Sequence, residues 1–432
     1  MDYSKPPKLN NRYAVDMSAL GLTLIIVLSF LLHLFTRLFS GYAYAILLAV
    51  FTMICVVSNR KTVIRGNWLT QAWFFAAAMI VFSFLHSQRS NGALLDIIVF
   101  TCGLLLIVFN SGDENEYLRC LSVIKALAIF FAAGVLLQIF IPPLYRLIIV
   151  FFPSAYRAAL VSGERSGFTL NTGFSAGYII AGLVAMLSGT AGAKRLRLRD
   201  AIMPLLLLAA LVMTGKRGPA VFLVATVILC YLAPVSGSRK FKRYWKLFLL
   251  GIAGLLFLWM FRDALASIPI IGRTFDSIKA YGEGEDVTSG RSRLYVWALE
   301  LFRKNPLFGI GWGRFRTTVV GNVTVAKELE THDIYLQLLA ETGIAGFIVF
   351  VSTFLLFWNT TRIAYCDCVR KNDPDTTGWR QLLLFSFAYQ TYFLFYGLTG
   401  NPLYDPHFQI MYLFSCLIIA AYTTLRDPLY KR

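Results

Sequence analysis

Basic side chains at the starts of helices are the residues of this sequence best suited to chemistry. Arg291 follows Ser289 and Gly290 and opens a segment whose apolar residues recur at three-and-four spacing, which predicts an amphipathic helix capped by Ser289. A cation beside the first N–H groups and the positive end of a helix dipole is unfavourable by itself, and an anionic ligand would remove that conflict. The sequence therefore indicates an anion site at Arg291. The apolar stripe, which can face lipid or the rest of the protein, consists of Leu294, Trp297, Ala298, Leu301 and Phe302.

A second candidate is His332, which lies just before a long apolar segment. Thr331 or Asp333 can cap the helix that this segment predicts, so the imidazole lies at a helix N-terminus. The dipole and nearby cations disfavour the imidazolium ion, and a neutral imidazole can accept a proton from a hydroxyl nucleophile. A histidine at a membrane surface can equally serve as an interfacial hydrogen-bonding group. The placement of His332 among arginines on the same face favours the role of catalytic base over that of an interfacial hydrogen-bonding group.

Three further basic residues lie close to apolar segments. Lys216 and Arg217 stand in a tight turn between two such segments, and Arg165 precedes another. Charged residues near bilayer depth are costly and tend to be functional, and the planar fork of arginine matches phosphate oxygens bidentately. We therefore predict that Arg165, Lys216, Arg217 and Arg291 bind a phosphate or diphosphate. Lipid headgroups are the alternative partner for each of them.

Two other patterns suggest ligands but favour simpler explanations. The glycines of 309–313 are spaced as in nucleotide loops, but they follow a predicted helix rather than a strand and lack Gly-Lys-Ser/Thr. A tight turn that permits close backbone approach is the better interpretation. The carboxylates of 283–286 stand among glycines, which impose no coordination geometry, so a solvated loop is favoured over a cation site. We predict no metal site and no cofactor.

The elements that position these residues follow from composition. The 432 residues are 57% hydrophobic and 15% charged, with a mean hydropathy of +0.63, whereas soluble domains are about one-quarter charged. Continuous apolar runs of about 17 residues or more can each cross a bilayer as a helix. The predicted class is an all-α integral membrane protein with about twelve transmembrane helices, at 17–36, 41–58, 68–86, 94–110, 121–141, 170–189, 201–213, 217–234, 246–261, 338–360, 381–397 and 407–424.

Charge predicts the topology. Alternate short loops are rich in both Lys and Arg, which places them, and both termini, in the cytoplasm. The net charge of +18 is explained by this anchoring, so no nucleic-acid partner is expected. Two long loops then lie outside, at 142–169 and 262–337. The predicted organisation is a first helical block at 1–261, an external catalytic loop with amphipathic helices at 262–337, and a last block at 338–432.

Several of these residues also match a family pattern. Three motifs together resemble the O-antigen ligase and Wzy-type polymerase superfamily in order and spacing: Ser289-Gly290-Arg291, the Asn305–Gly311 segment, and the run from His332 through Ile344. The turn with Lys216 and Arg217 is similar to that family's basic turn ahead of a transmembrane helix.

The resemblance implies a GT-C-like glycosyltransferase in the bacterial cytoplasmic membrane, acting on its outer face without metal or nucleotide. Its partners would be membrane lipids, an undecaprenyl-diphosphate-linked glycan donor, and a glycan or lipid-linked acceptor. Arg217 and Arg291 would hold the diphosphate, and His332 would activate the acceptor hydroxyl for an inverting displacement. Asp333 stands where many members have Asn; it could strengthen His332 as a base or cap the helix.

Three functions remain open at this point. A polymerase joins repeat units on the lipid carrier, and a resemblance of 121–218 to exopolysaccharide and capsule members favours it. A ligase would move the finished chain onto lipid A-core. A transporter or flippase for the same lipid-linked sugar is a third alternative, although the charges lie at one outer face rather than near mid-membrane, where transporters place them.

Overall fold

The computed structural model describes residues 17–34, 41–58, 67–86, 91–109, 113–152, 164–190, 198–235, 238–261, 269–282, 291–317, 330–371, 373 and 376–426. Within these ranges the regular structure is helical, and no strand occurs. The helices are α1 (Met17–Leu34), α2 (Gly41–Ser58), α3 (Trp68–His86), α4 (Asn91–Val108), α5 (Glu114–Phe140), α6 (Pro142–Ile149), α7 (Thr172–Thr190), α8 (Leu198–Met213), α9 (Arg217–Leu232), α10 (Ser238–Met260), α11 (Pro269–Gly282), α12 (Arg291–Lys304), α13 (Ile334–Lys371), α14 (Thr377–Tyr396) and α15 (Pro406–Arg426).

The prediction of an all-α membrane protein is confirmed, and each predicted span overlaps a helix. In the described part of the chain, five helices are long and apolar enough to cross a membrane: α3, α5, α7, α13 and α15. The count of about twelve crossings stays a prediction. Helix α5 begins earlier than expected because the Asp113 side chain accepts a hydrogen bond from the N–H of Asn115, so a polar first turn precedes the apolar span.

Helix α15 lies at the centre of the bundle. Most of its side chains are buried, and it packs against α1, α4, α13 and α14. By contrast, α8, α9 and α10 leave large apolar side chains exposed, among them Leu205, Val221 and Leu250. Exposed apolar surface of this kind suits a face in contact with lipid.

The glycines of 309–313 form a tight turn that packs against a break in α13. The break is at Gly343, whose φ is 64°, and Gly309 has a φ of 68°. A Cβ at Gly309 would overlap the backbone of Glu341, and one at Gly343 would overlap the backbone of Leu307. The N–H of Gly311 donates to the carbonyl of Glu341 at 2.8 Å. The prediction of close backbone approach is therefore confirmed.

The amphipathic helix α12 packs on the bundle through its predicted stripe. Leu294, Ala298 and Leu301 are buried in a cluster with two further residues: Phe315, which precedes α13, and Ala340, which lies in the second turn of α13. This contact holds the N-terminus of α12 near the start of α13. The predicted cap Ser289 and the acidic residues of 283–286 lie outside the described residues.

Candidate active site

A cavity of about 930 Å³ lies at the end of the bundle where α7, α9, α12, α13 and α15 begin and α14 ends. Four of the five residues predicted to act on the substrate line it: Lys216, Arg217, Arg291 and His332. They come from the turn before α9, the start of α12 and the segment before α13. The tertiary structure thus brings together residues that are more than a hundred positions apart in the chain.

Arg165 is the predicted residue that is not among those lining the cavity. It is exposed in the segment before α7, where its neighbour Glu164 accepts a hydrogen bond on its carbonyl from Gln138 at 2.7 Å. Asn171, a few residues further along the same segment, does line the cavity. The sequence favours Arg165 because it is the charged residue of this segment, whereas in the structure it is Asn171 that lines the cavity.

Local structure fixes Lys216 and Arg217. Gly215 has a φ of 72°, which permits the sharp turn after α8, and Lys216 is extended at the N-cap position of α9. Arg217 is then the first residue of α9, and its guanidinium donates a hydrogen bond to the hydroxyl of Ser277 in α11. Both cations consequently lie at a helix N-terminus, where the dipole adds positive potential.

Arg291 is the first residue of α12 and is partly buried. Its guanidinium donates a hydrogen bond to the carbonyl of Thr399, in the segment after α14, at 3.2 Å. A guanidinium has five N–H donors, so this contact orients the side chain and leaves donors for a ligand.

His332 is held in an uncommon backbone conformation. Its φ is 57°, the left-handed region, and it is the one described residue other than glycine with a positive φ. Burial lowers the pKa of His332 to about 4 from the ordinary value of 6.5, and the positive charges of Arg291 and Lys216 add to the effect. The imidazole is therefore neutral near pH 7, as its position at a helix N-terminus predicted.

Asp333 caps α13. Its Oδ1 accepts hydrogen bonds from the N–H of Tyr335 at 2.9 Å and of Leu336 at 3.0 Å. Burial raises the pKa of Asp333, and the two N–H donors oppose that rise. Of the two roles the sequence left open for this residue, the geometry supports the cap.

The sequence reasoning missed several residues that line the cavity, among them Tyr295, Arg316, Glu330, Tyr396, Asn401 and Asp405. Arg316 and Glu330 form an ion pair. Both lie beside segments that the sequence singles out, since Arg316 follows the glycine turn and Glu330 precedes His332. Asp405 lies just before α15. A charged residue directly ahead of an apolar segment is the sequence feature that would have predicted its place at the site.

Buried Glu341 of α13 holds the turn that carries Arg316. Its carboxylate accepts hydrogen bonds from the N–H of Gly313 at 2.8 Å and of Phe315 at 2.9 Å. The hydroxyl of Tyr404 donates to the same carboxylate at 2.7 Å. Glu341 thereby joins three parts of the cavity wall: the helix that follows His332, the turn before Arg316 and the segment before Asp405.

A second buried carboxylate fixes the same turn from the other side. Trp312 is fully buried, and its indole N–H donates to Asp96 of α4 at 2.8 Å. Gln409 of α15 donates to the other carboxylate oxygen of Asp96 at 2.7 Å. The turn is therefore held rigidly between α4, α13 and α15, as a site that needs fixed geometry requires.

Fold and site together define a helical membrane protein with a basic pocket around a neutral histidine at one end of its bundle. Residues 202–351 match the family model described as O-antigen ligase. This match supports membership of the O-antigen ligase and polymerase superfamily, which the motif resemblance predicted, and with it a general role in glycosyl transfer for surface polysaccharide assembly. The matched range contains Lys216, Arg217, Arg291 and His332 but not Arg165. Comparison with curated proteins found no match.

Proposed function

We propose that this protein transfers a glycan from an undecaprenyl-diphosphate carrier to an acceptor sugar, with inversion at the anomeric carbon and without a metal or nucleotide cofactor. The observation that carries the proposal is the convergence of Lys216, Arg217 and Arg291 on one cavity with a neutral His332. Cations at two helix N-termini suit a diphosphate, and a neutral imidazole suits a hydroxyl nucleophile.

The reaction follows from these roles. The acceptor hydroxyl oxygen attacks the anomeric carbon as His332 takes the hydroxyl proton, and the bond from that carbon to the diphosphate oxygen breaks. The electron pair stays on the leaving diphosphate, whose growing negative charge is stabilised by Lys216, Arg217 and Arg291. Preorganised cations of this kind lower the barrier because they need little rearrangement as the charge develops.

The proposed location is the bacterial cytoplasmic membrane, with the cavity on its outer face and both termini inside. Gly215, Lys216, Glu330 and His332 line the cavity and fall in loops that the charge distribution assigns to the outside. A lipid-linked donor would then reach the cavity from the membrane that surrounds the bundle.

The proposed reaction is polymerisation of repeat units on the lipid carrier, with ligation to lipid A-core as the alternative. Polymerisation rests on the resemblance of 121–218 to exopolysaccharide and capsule members. Purified protein given lipid-linked repeats and no lipid A-core should extend them into longer chains. Transfer that occurs only when lipid A-core is added would contradict polymerisation and support ligation.

Substitution of the catalytic base tests transfer against transport. A His332→Ala variant should reduce the rate of glycan transfer about 100- to 10,000-fold, the usual contribution of a general base. Long-chain polysaccharide that persists undiminished in cells, with unchanged amounts of the variant protein, would contradict the proposal and favour a flippase for the same lipid.

Conservative substitution tests whether the guanidinium groups of Arg217 and Arg291 bind the diphosphate. Arg217→Lys and Arg291→Lys keep the charge but lose planar, bidentate contact, so transfer should fall about tenfold or more. Arg370→Lys is the matched control, because Arg370 pairs with Asp367 on an exposed surface at the far end of α13. Equal activity in all three variants would contradict diphosphate binding by the guanidinium groups of Arg217 and Arg291.

A further inference from the structure

The cavity has a second polar region whose charge differs from that of the diphosphate region. The diphosphate region contains Lys216, Arg217 and Arg291. The positive charges of Lys216 and Arg291 help to lower the pKa of His332. The second region contains Arg316, Glu330 and Asp405, which line the same cavity. We call it the acidic region, because its carboxylates outnumber its single cation.

The positive charge of Arg316 is already matched. Glu330 forms an ion pair with it, and the buried carboxylates of Asp96 and Glu341 also lie within its electrostatic reach. A guanidinium so compensated attracts a further phosphate weakly. Arg316 is therefore better suited to neutral hydrogen-bond acceptors than to a second phosphate.

Asp405 lines the cavity directly before α15, and its side chain is partly buried. Its backbone carbonyl accepts a hydrogen bond from the N–H of Gln409 at 3.0 Å, a contact that does not involve the side chain. Burial raises the pKa of Asp405, and the charge of Arg316 opposes the rise. A carboxyl group at a cavity wall can accept hydrogen bonds from the hydroxyl groups of a ligand.

The neighbouring groups suit a sugar. Tyr396 lines the cavity and lies within electrostatic reach of both Asp405 and Arg291. Ligand cavities of about 300–1,000 Å³ hold whole small molecules, and this cavity lies at the upper end of that range. A diphosphate fills a minor part of such a volume, which leaves room for a second group.

We propose that Asp405, together with the Arg316–Glu330 pair and the ring of Tyr396, forms the subsite for the acceptor, and that this subsite takes a neutral, hydroxyl-bearing sugar rather than an anionic one. The inference rests on the proposed function, because the acceptor hydroxyl must reach His332. Carboxylate oxygens accept hydroxyl hydrogen bonds, the remaining N–H groups of Arg316 donate to sugar oxygens, and a uronate or phosphate would meet unfavourable charge.

Binding without turnover tests the subsite. The full-length protein in lipid nanodiscs is titrated with two probes: inorganic pyrophosphate, and oligosaccharides from partial hydrolysis of the producing strain's own surface polysaccharide. Ion exchange separates the oligosaccharides into neutral and anionic fractions. The neutral fraction should bind at least about tenfold more tightly than the anionic one, since loss of a charge-assisted hydrogen bond costs about that much in affinity.

Variants assign the binding to the acidic region. Asp405→Asn should weaken binding of the neutral fraction about tenfold or more while pyrophosphate affinity stays within about twofold, which also shows that the variant is folded. Arg217→Lys should give the opposite pattern. Asp367→Asn, in the exposed pair with Arg370 at the far end of α13, is the matched control and should change neither.

Three results would overturn the subsite: no binding of the neutral fraction by the unaltered protein, equal binding of both fractions, or an Asp405→Asn variant that binds the neutral fraction normally. None of these depends on catalysis. Persistent glycan transfer by His332→Ala would instead overturn the proposed function and leave the binding results standing, so the two failures are distinguishable.

Discussion

Tyr404 donates a hydrogen bond from its hydroxyl to the Oε2 atom of Glu341 at 2.7 Å, and this contact joins the segment before α15 to the helix that follows His332. Both side chains are buried. Their pairing fixes the acidic region of the cavity relative to the histidine, because Asp405 follows Tyr404 directly in the chain.

Removal of that hydroxyl should destabilise the protein. Tyr404→Phe leaves a buried carboxylate one donor short, and we expect a loss of about 1–3 kcal/mol in the free energy of unfolding. Thermal or denaturant unfolding of the purified protein in detergent measures it. Tyr44→Phe is the matched control, since the buried hydroxyl of Tyr44 has no partner among the described residues. Equal losses in both variants would show that the contact with Glu341 contributes nothing.

The glycine turn should not tolerate a side chain. Gly309→Ala and Gly343→Ala each place a Cβ against backbone at a positive φ, so we expect a loss of about 3 kcal/mol or more in stability and little folded protein. Gly251→Ala in α10 is the control, because a Cβ there meets nothing within 4 Å and alanine favours the helix. Size-exclusion profiles and yields after membrane extraction compare the three. Normal yield of Gly309→Ala would contradict the packing of this turn.

The pH profile of transfer should reflect the low pKa of His332. A base works in its neutral form, so kcat/KM for the donor should hold constant as pH falls from 7 and decline only as pH passes below about 4. Lys216→Gln removes one of the cations that disfavour imidazolium, which should move the acid limb upward while burial keeps it below 6.5. The measurement is kcat/KM for the donor across pH, because this ratio reports the ionisation of the free protein. An acid limb near 6.5 in the unaltered protein would contradict the buried, cation-flanked environment.

Asp333 should behave as a helix cap rather than as part of the base. Asp333→Asn keeps an oxygen that accepts from the N–H groups of Tyr335 and Leu336, so stability and kcat should change little. Asp333→Ala loses the cap, at a cost of about 0.5–2 kcal/mol in the free energy of unfolding. Unfolding and transfer assays on the pair separate the two roles. A large fall in kcat for Asp333→Asn with unchanged stability would show that the carboxylate strengthens His332.

Much of the fold was accessible from sequence because membrane helices satisfy their backbone groups within themselves. An apolar run that is long enough to cross a bilayer therefore predicts a helix without knowledge of its neighbours. Helix starts are local as well: the turn at Gly215 places Arg217 at the start of α9, and the stripe through Leu294 predicts α12. The positions of Lys216, Arg291 and His332 relative to their own helices followed for the same reason.

Side-chain partners between distant segments were decided only by the tertiary structure. The contacts of Glu341 with Tyr404 and of Trp312 with Asp96 join helices that are far apart in the chain, and no local pattern encodes them. Arg165 illustrates the limit, since its charge and its place before a span suggested the site, yet the packing of its segment directs Asn171 there instead.

The sequence by itself determined that this is a helical membrane protein with cations and a histidine at helix starts, because hydropathy, charge and capping act over a few residues. The tertiary structure decided which of those residues share a cavity and that Asp333 caps its helix. It also brought Arg316, Glu330 and Asp405 together beside them. Those outcomes depend on how helices pack, and packing is set by the whole set of buried contacts rather than by any one segment.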